Sequence, residues 1–235
     1  MINLPAENRS IMIYNLILFL VKTGTSLLCR IDAPNIQSFP QKGPLLAISN
    51  HTGQLEVAVF FGQLAPRPIT GWAKMEAWDN AFLNWLFNLW GLIPIRRGEA
   101  DTSALRKAIY ALNHGYIFGI APEGTRNKTG QLKRAHPGAV LIATRSDAPI
   151  LPVAHWGGEN FLKNLLRFKR TEFHIRVGKP FKLNLEGVKL SRDIRQQIAD
   201  EMMLRIAELM PLRYHGEYEK VTLGEKRYTK IVEFS

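Results

Sequence analysis

The sequence predicts an α/β fold in which a layered, largely parallel mixed sheet is flanked by helices and preceded by an N-terminal helical segment. Two observations support this prediction. Short apolar runs bounded by Gly or Pro alternate along the chain with segments of helical periodicity, as in βαβ units. Polar or basic residues follow the ends of several runs, and ligand-binding groups are expected at that edge of a parallel sheet. With 235 residues, the chain is long enough for a sizeable core.

The composition indicates a globular protein with anionic partners. Hydrophobic residues make up 46% of the chain and charged residues 22%, which is not the composition of a disordered sequence. The 31 Lys and Arg residues exceed the 20 Asp and Glu residues, so the formal net charge is +11. Such a charge favours phosphate-bearing substrates, anionic lipid or nucleic acid. Cys29 is the only cysteine, which excludes an internal disulfide.

The first apolar run, residues 11–21, is interrupted only by Asn15. It has about half of the roughly 20 residues that a membrane-spanning helix needs. A signal peptide would end in an A-x-A cleavage site, which is missing here, and Glu7 precedes the run. A buried core helix is a further alternative. We expect residues 1–30 to form a membrane-associating helical segment in the bilayer interface, and residues 31–235 to form the α/β domain.

A strand-to-helix corner is predicted at residues 45–64. An apolar run begins at Leu45 and ends before Asn50, which is typical of a buried strand. The apolar-rich segment Leu55–Leu64 then predicts a helix, with Thr52 as its N-cap. The residues between the strand and the helix form a polar turn.

His51 and Glu56 lie at this corner and form a plausible acid–base pair. Within one helix, a separation of five residues would place the two side chains about 140° apart. They can therefore meet only if His51 lies on the turn and Glu56 lies in the first turns of the helix. Glu56 could then hold one ring nitrogen of His51 and leave the other free to accept a proton.

An aromatic segment follows the next predicted strand, Pro68–Lys74. Residues 78–95 are rich in Trp and Phe and carry no charge after Asp79. They predict a helix that ends at Gly91 and a short strand that leads into two arginines. The helix can be a buried aromatic element, or it can present an apolar surface to an acyl chain or to the bilayer.

The second half of the chain continues the alternation of helices and strands. The predicted elements are a helix at Asp101–Asn113, a strand at Tyr116–Ile120, a helix from Gly138 to about Ser146, strands at Pro149–Ala154 and Thr171–Val177, and a helix with Ile194, Ile198, Met202, Ile206 and Leu209 on one face. This pattern completes the predicted layered sheet.

Four stretches, in this order, resemble the four sequence blocks of the glycerolipid acyltransferases, and most of all the bacterial 1-acylglycerol-3-phosphate acyltransferases. They are NHTGQLE (50–56), GLIPIRR (91–97), APEGTRN (121–127) and PILPVA (149–154). The resemblance covers roughly residues 42–185 of the chain. It rests on the order and spacing of the blocks more than on any single block, of which PEGTR is the most specific.

The resemblance implies roles for individual residues. His51 matches the catalytic base of the family, and Glu56 stands where the family has an Asp, which is one methylene shorter. The substrate-binding residues that the resemblance implies are Lys74, Arg97, Glu123, Gly124 and Arg126, and Thr125 is expected to be a further hydrogen-bond donor next to Gly124. Arg and Lys suit the phosphate of an acceptor, and a glycine lets a backbone N–H approach an anion closely. We expect no metal and no redox cofactor.

The function that the resemblance implies is transfer of a fatty acyl group from acyl-CoA or acyl carrier protein to the free hydroxyl of lysophosphatidate, giving phosphatidate in phospholipid synthesis. The expected partners are the acyl donor, the lysolipid and the anionic bilayer surface, at the cytoplasmic face of a membrane. A different lysolipid acceptor is one alternative. A catalytically weak lipid-binding relative is another, because Glu56 departs from the family pattern. Nucleic acid is not an expected partner, since no nucleic-acid motif is recognisable and the uncharged aromatic segment suits lipid better.

Overall fold

The chain folds into a mixed α/β structure, seen in a computed structural model that describes residues 11–53, 55–96, 98, 101–220 and 227–233. Their strands are β1 (Cys29–Asp32), β2 (Leu45–Ser49), β3 (Ile69–Lys74), β4 (Ile93–Ile95), β5 (Ile117–Ile120), β6 (Ile150–Trp156), β7 (Thr171–Val177), β8 (Phe181–Leu183) and β9 (Thr229–Ile231). Their α-helices are α1 (Ile11–Leu28), α2 (Leu55–Leu64), α3 (Ala81–Trp90), α4 (Thr102–Asn113), α5 (Gly138–Ser146), α6 (Phe161–Leu165) and α7 (Arg192–Ala207). The predicted fold class is confirmed.

The strands form one sheet in the order β1-β7-β6-β2-β5-β3-β4. The five strands from β6 to β4 are all parallel, whereas β7 runs antiparallel to β6 and β1 runs parallel to β7. Strand β8 pairs antiparallel with the start of β6, and β9 pairs with β8. The sheet is therefore largely parallel with a mixed side, as predicted.

The parallel strands bring their carboxyl ends to one side of the sheet, which we call the C-terminal edge. The segments that follow β2, β3, β4, β5 and β6 all begin there. Because β7 runs in the opposite direction, its first residue lies at the same edge, and so does the first residue of β1. The end of α1, which leads directly into β1, therefore also reaches the C-terminal edge.

The central strands are buried on both faces. In β2, Leu45 packs with one apolar cluster while Leu46 and Ile48 pack with the other, and each of these three side chains is fully buried. Helices α4, α5 and α7 contribute to the cluster on one face, and α1, α2 and α3 contribute to the cluster on the other. Strands covered on both faces read as continuous apolar runs, which is why they stood out in the sequence.

Helix α1 extends further than its apolar run suggested. It continues through the polar residues 23–26 to Leu28, and the hydroxyl of Thr25 donates a hydrogen bond to the carbonyl of Val21 at 2.8 Å. By length and mean hydropathy (1.7), this one described helix could cross a membrane, although core helices and signal sequences share those properties. Only 17% of it is buried, through Tyr14, Leu18 and Thr25, which argues against a buried core helix.

Helix α3 combines the two interpretations of the aromatic segment. Its last residues, Leu89 and Trp90, are buried, and Gly91 ends the helix at φ 70° as predicted. Its first turns expose Phe82 and Trp85, at 64% and 46% of their surfaces. The helix is therefore a core element at its end and an apolar surface at its beginning.

Candidate active site

The structure brings His51 and Glu56 together at the C-terminal edge. His51 lies on the turn after β2, and Glu56 is the second residue of α2, which is the arrangement their spacing required. The Nδ1 atom of His51 is 2.6 Å from Oε1 of Glu56. The N–H of Gly53 donates to both carboxylate oxygens, at 3.0 and 3.1 Å. Glu56 is 3% exposed, so the pair forms a buried, oriented contact.

The charge state of Glu56 determines which nitrogen of His51 is free. Burial alone would raise the pKa of Glu56, but the hydrogen bond from the His51 ring, the electrostatic effect of the nearby His155 and His51 rings, and the hydrogen bond from the Gly53 N–H lower it to about 2. A carboxylate only accepts hydrogen bonds, so Nδ1 of neutral His51 carries the proton and Nε2 does not. Among the described residues, Nε2 has no hydrogen-bond partner, and the His51 side chain is 17% exposed. Nε2 of His51 can therefore accept a proton from a ligand.

The main chain of His51 is attached to the loop that follows β5. Its N–H donates to Oε1 of Glu123 at 2.9 Å, and its carbonyl accepts from the N–H of Asn127 at 2.7 Å. The second oxygen of Glu123 accepts from the N–H of Lys133 at 3.0 Å. Glu123 is 2% exposed, so its observed contacts join two loops and do not face solvent.

Burial raises the pKa of Glu123 to about 7, although the N–H groups of His51 and Lys133 and the Lys133 charge act in the opposite direction. The carboxyl group of Glu56 also raises it. Near neutral pH this side chain is therefore close to its titration midpoint, while Glu56 is ionised.

His155 and Asn50 support the turn from inside, and the sequence did not reveal this. The Asn50 amide donates to the His155 carbonyl at 2.8 Å and accepts from the His155 N–H at 3.0 Å. The His155 Nε2–H donates to the Asn50 carbonyl at 2.7 Å. His155 is fully buried, and the cost of burying a charge lowers its pKa and so favours its neutral form. A histidine at the end of an apolar strand was the available signal, but the predicted strand ended at Ala154.

The predicted N-cap role of Thr52 is wrong. Helix α2 begins at Leu55, and the Thr52 hydroxyl is buried without a hydrogen-bond partner among the described residues. The Glu56 carboxylate takes the N–H of Gly53 instead. This N-terminal turn is closed by the same side chain that holds His51, so the helix start and the orientation of His51 depend on one residue.

Basic and polar side chains continue the site along the C-terminal edge. Thr125 and Arg126 follow β5, the neighbour of β2, and Lys74 ends β3, the next strand along. All three are exposed. Neither Lys74 nor Arg126 forms an ion pair with a described residue. Arg97 lies outside the described residues. Lys74 and Arg126 are therefore available to an anionic ligand at the C-terminal edge.

Both the backbone conformation and the available space at position 124 require a glycine. Its φ is +67°, in the left-handed region, and a Cβ atom at this position would lie 2.9 Å from the ring of His136. The turn is closed by the Gly124 N–H, which donates to the Ala121 carbonyl at 3.1 Å, and the His136 N–H donates to the Pro122 carbonyl at 2.8 Å. The resulting tight loop presents Thr125 and Arg126 at the C-terminal edge.

A family model described as Acyltransferase matches residues 30–156, which include His51, Glu56, Lys74 and Arg126. The chain belongs to the acyltransferase family. The match covers more than half of the chain and runs from within β1 to the end of β6. The resemblance noted in the sequence blocks is confirmed at the level of the family.

Individual relatives agree with this assignment. The chain is 29% identical over 161 residues to a 1-acyl-sn-glycerol-3-phosphate acyltransferase of Bacillus subtilis, a match that covers 68% of this chain and 78% of the relative. It is also 29% identical over 140 residues to the enzyme of that name from Borreliella burgdorferi, covering 58% of this chain but only 56% of the relative's length. A lyso-ornithine lipid O-acyltransferase of Pseudomonas aeruginosa is 26% identical over 174 residues, covering 66% of each chain.

The fold of this acyltransferase is also found in a solved structure. The crystal structure of a 1-acyl-sn-glycerophosphate (LPA) acyltransferase from Thermotoga maritima superposes with a TM-score of 0.60. It covers 87% of this chain and 83% of the other chain at 19% sequence identity. At that identity the similarity establishes the shared architecture.

Proposed function

We propose that the protein transfers a fatty acyl group from a thioester donor, acyl-CoA or acyl carrier protein, to the free hydroxyl of lysophosphatidate. The observation that carries the proposal is the His51–Glu56 pair, in which a buried carboxylate holds Nδ1 and leaves Nε2 open. The exposed cations on the neighbouring loops support a phosphate-bearing acceptor. The names of the Bacillus and Borreliella relatives point to the same acceptor.

His51 acts as the base in this reaction. The acceptor hydroxyl gives its proton to Nε2 as its oxygen forms a bond to the thioester carbonyl carbon. The tetrahedral intermediate then collapses, the C–S bond breaks, and the proton passes from Nε2 to the departing sulfur. The products are an ester and a thiol, and His51 returns to its neutral form. Glu56 keeps the imidazole in the right tautomer and stabilises the imidazolium between the two proton transfers.

Arg126, Thr125 and Lys74 bind the acceptor phosphate. A phosphate monoester carries close to two negative charges, and a guanidinium can donate two parallel hydrogen bonds to it. Glu123 and Asn127 connect the loop after β5 to the His51 turn by hydrogen bonds. These hydrogen bonds hold Arg126 and Thr125 close to the base, which favours a correctly placed hydroxyl.

A second candidate acceptor is a lyso-ornithine lipid, as the name of the Pseudomonas relative indicates for that protein. Its head group would carry one carboxylate and one amine in place of a phosphate. Lys74 and Arg126, exposed without described ion pairs, suit a doubly charged anion better than a zwitterion, so we place lysophosphatidate first. The weak-enzyme alternative rested on Glu56 standing where the family has an Asp, but this longer side chain contacts Nδ1 of His51 at 2.6 Å.

The test is an assay of the purified protein with acyl-CoA or acyl carrier protein as donor and a set of lysolipids as acceptors, with products identified by mass. We expect phosphatidate from lysophosphatidate and no comparable product from lyso-ornithine lipid. Preferred acylation of lyso-ornithine lipid would replace the proposed acceptor. Absence of any transfer, with lysolipid still bound, would identify a lipid-binding protein.

A further inference from the structure

The connection between β6 and β7 contains an exposed apolar and basic segment that the proposed reaction does not use. It comprises residues 161–170, which we call the β6–β7 loop. Its exposed apolar side chains are Leu162 (71% exposed), Leu165 (40%), Leu166 (82%) and Phe168 (100%). Its basic side chains, also exposed, are Lys163, Arg167, Lys169 and Arg170. Leucines and a phenylalanine exposed together next to cations mark an interaction surface.

This loop has a defined backbone. Helix α6 ends in a Schellman motif, in which the Lys169 N–H donates to the Asn164 carbonyl at 2.9 Å and the Phe168 N–H donates to the Leu165 carbonyl at 3.1 Å. Phe168 occupies the left-handed position of the motif at φ 54°, where glycine is preferred. A non-glycine residue there costs about 1–2 kcal/mol. The chain thus holds a fully exposed aromatic ring at a position where glycine would be more stable.

The loop lies at the C-terminal edge, beside the end of α1. It begins after β6 ends at that edge, and Thr171 of β7 pairs with Cys29 in the parallel β1–β7 ladder. The Arg170 guanidinium donates to the carbonyl of Ser26 at 2.6 Å and to that of Cys29. Leu27, in the same turn of α1, is 68% exposed. The apolar surface of the loop therefore borders the largely exposed helix α1.

We propose that the β6–β7 loop is a second membrane-attachment element, which inserts Leu166 and Phe168 into the surface of an anionic phospholipid bilayer. The alternation of apolar and basic side chains suits such a surface, because the apolar groups enter the acyl region while the cations contact lipid phosphates. Lys163, Arg167 and Lys169 form no ion pairs with described residues and are available for this contact. The border with α1 makes a bilayer a better fit than a separate protein partner.

Attachment through this loop has a consequence for the active site. Because the loop and His51 lie at the same edge of the sheet, docking turns that edge towards the membrane. The exposed start of α3, with Phe82 and Trp85, also follows from that edge. The loop and α3 then place His51 near the lipid surface. The proposal requires no particular acceptor lipid, so it can fail or succeed independently of the proposed function.

Vesicle flotation of the full chain tests the proposal. The first variant, L166S/F168G, removes two apolar side chains, and we expect a drop of at least ~10-fold in partitioning onto vesicles containing phosphatidylglycerol. The second variant, K163Q/R167Q/K169Q, should lose about 100-fold on those vesicles at low salt and nothing on neutral phosphatidylcholine vesicles. The matched control is Ile231→Ser, which changes an exposed apolar side chain on β9, away from this edge.

Thermal unfolding separates binding from folding. Because F168G removes a strained backbone position, the first variant should unfold at the same or a higher temperature than the wild type, and weaker binding would then not be due to misfolding. Unchanged partitioning of both variants would overturn the proposal. If partitioning is unchanged and the KM for acyl carrier protein as donor is raised, the loop would instead be assigned to an acidic protein partner.

Discussion

Replacing Glu56 by Gln or Asp examines the His51–Glu56 pair directly. In the wild type, Oε1 accepts both from His51 Nδ1 at 2.6 Å and from the Gly53 N–H at 3.0 Å, while Oε2 lies 3.1 Å from the same N–H. Gln has only one acceptor oxygen. If it faces His51, the amide NH2 opposes the Gly53 N–H. If it turns round, the NH2 faces Nδ1 and forces the proton onto Nε2, which then cannot accept one.

The size of the effect follows from the charge. The difference between the ordinary pKa of 4.5 and about 2 for Glu56 corresponds to about 3 kcal/mol of interaction that favours the ionised form in the folded protein. Loss of an orienting carboxylate cost ~10⁴-fold in one well-studied triad, so we expect Glu56→Gln to slow acyl transfer by ~10²–10⁴-fold. Glu56→Asp shortens the side chain by about 1.5 Å, the length of a C–C bond. The 2.6 Å contact then needs a shift of the backbone, and the rate should fall between those of wild type and Gln.

Single-turnover rates of wild type, Asp and Gln at saturating acceptor give the measurement, because they isolate the chemical step from product release. Acid denaturation provides a control. The folded pKa of Glu56 lies below the unfolded value, so its stabilisation is present above pH 4.5 and is lost as the pH falls towards 2. Glu56→Gln should lack that part of the acid-induced loss. Equal single-turnover rates for the three folded proteins would refute a catalytic pair.

Three further predictions concern the loop after β5. Arg126→Ala should raise the KM for lysophosphatidate about 10- to 100-fold, because a charge-assisted hydrogen bond is lost, with little change in the donor KM. The matched control is Arg145→Ala, which removes an exposed arginine on α5. An effect on the donor KM alone would place Arg126 on the donor side. The pKa of Glu123 is higher in the folded than in the unfolded protein, so the free energy of unfolding should be highest below pH 4.5 and fall by up to about 3 kcal/mol as the pH rises to about 7. Denaturant unfolding across that pH range should show this fall. A Glu123→Gln protein whose unfolding free energy changes equally with pH would contradict the prediction. Gly124→Ala should lower the free energy of unfolding by about 1–2 kcal/mol, because alanine is strained at φ +67°, and the loss should persist when His136 is also changed to Ala; an unchanged unfolding free energy would mean that the turn relaxes freely.

The sequence was most informative where one residue pattern served both fold and site. Leu55–Leu64 was recognised with its observed bounds because its apolar side chains follow helical spacing beside an apolar strand. Helix geometry gave the condition under which His51 and Glu56 can meet, with His51 on the turn and Glu56 early in the helix, and the structure satisfies that condition. Strands β1, β8 and β9 were missed, since each has three or four residues, too few to show alternation; β4 is equally short but was recognised as an apolar run directly after Gly91.

Other features depended on tertiary contacts that no local pattern encodes. Thr52 has the residue type of an N-cap, but Glu56 binds the free N–H of Gly53 and the hydroxyl is left unpaired. The pair of hydrogen bonds between the Asn50 side chain and the His155 main chain joins residues 105 positions apart. The burial of Glu123 was likewise hidden, because its donors come from two separate loops. The type of a charged residue does not by itself show whether the residue contacts a ligand or holds two loops together by hydrogen bonds.

The most direct test of the central claim is acyl transfer to lysophosphatidate by wild type and by His51→Ala, measured with the same purified donor. Removal of a general base costs ~10²–10⁴-fold. The structure predicts a loss of at least that size at saturating acceptor, with the unfolding temperature and lysophosphatidate binding close to those of wild type. Near-normal turnover by a folded His51→Ala protein would contradict the assignment of His51 as the base.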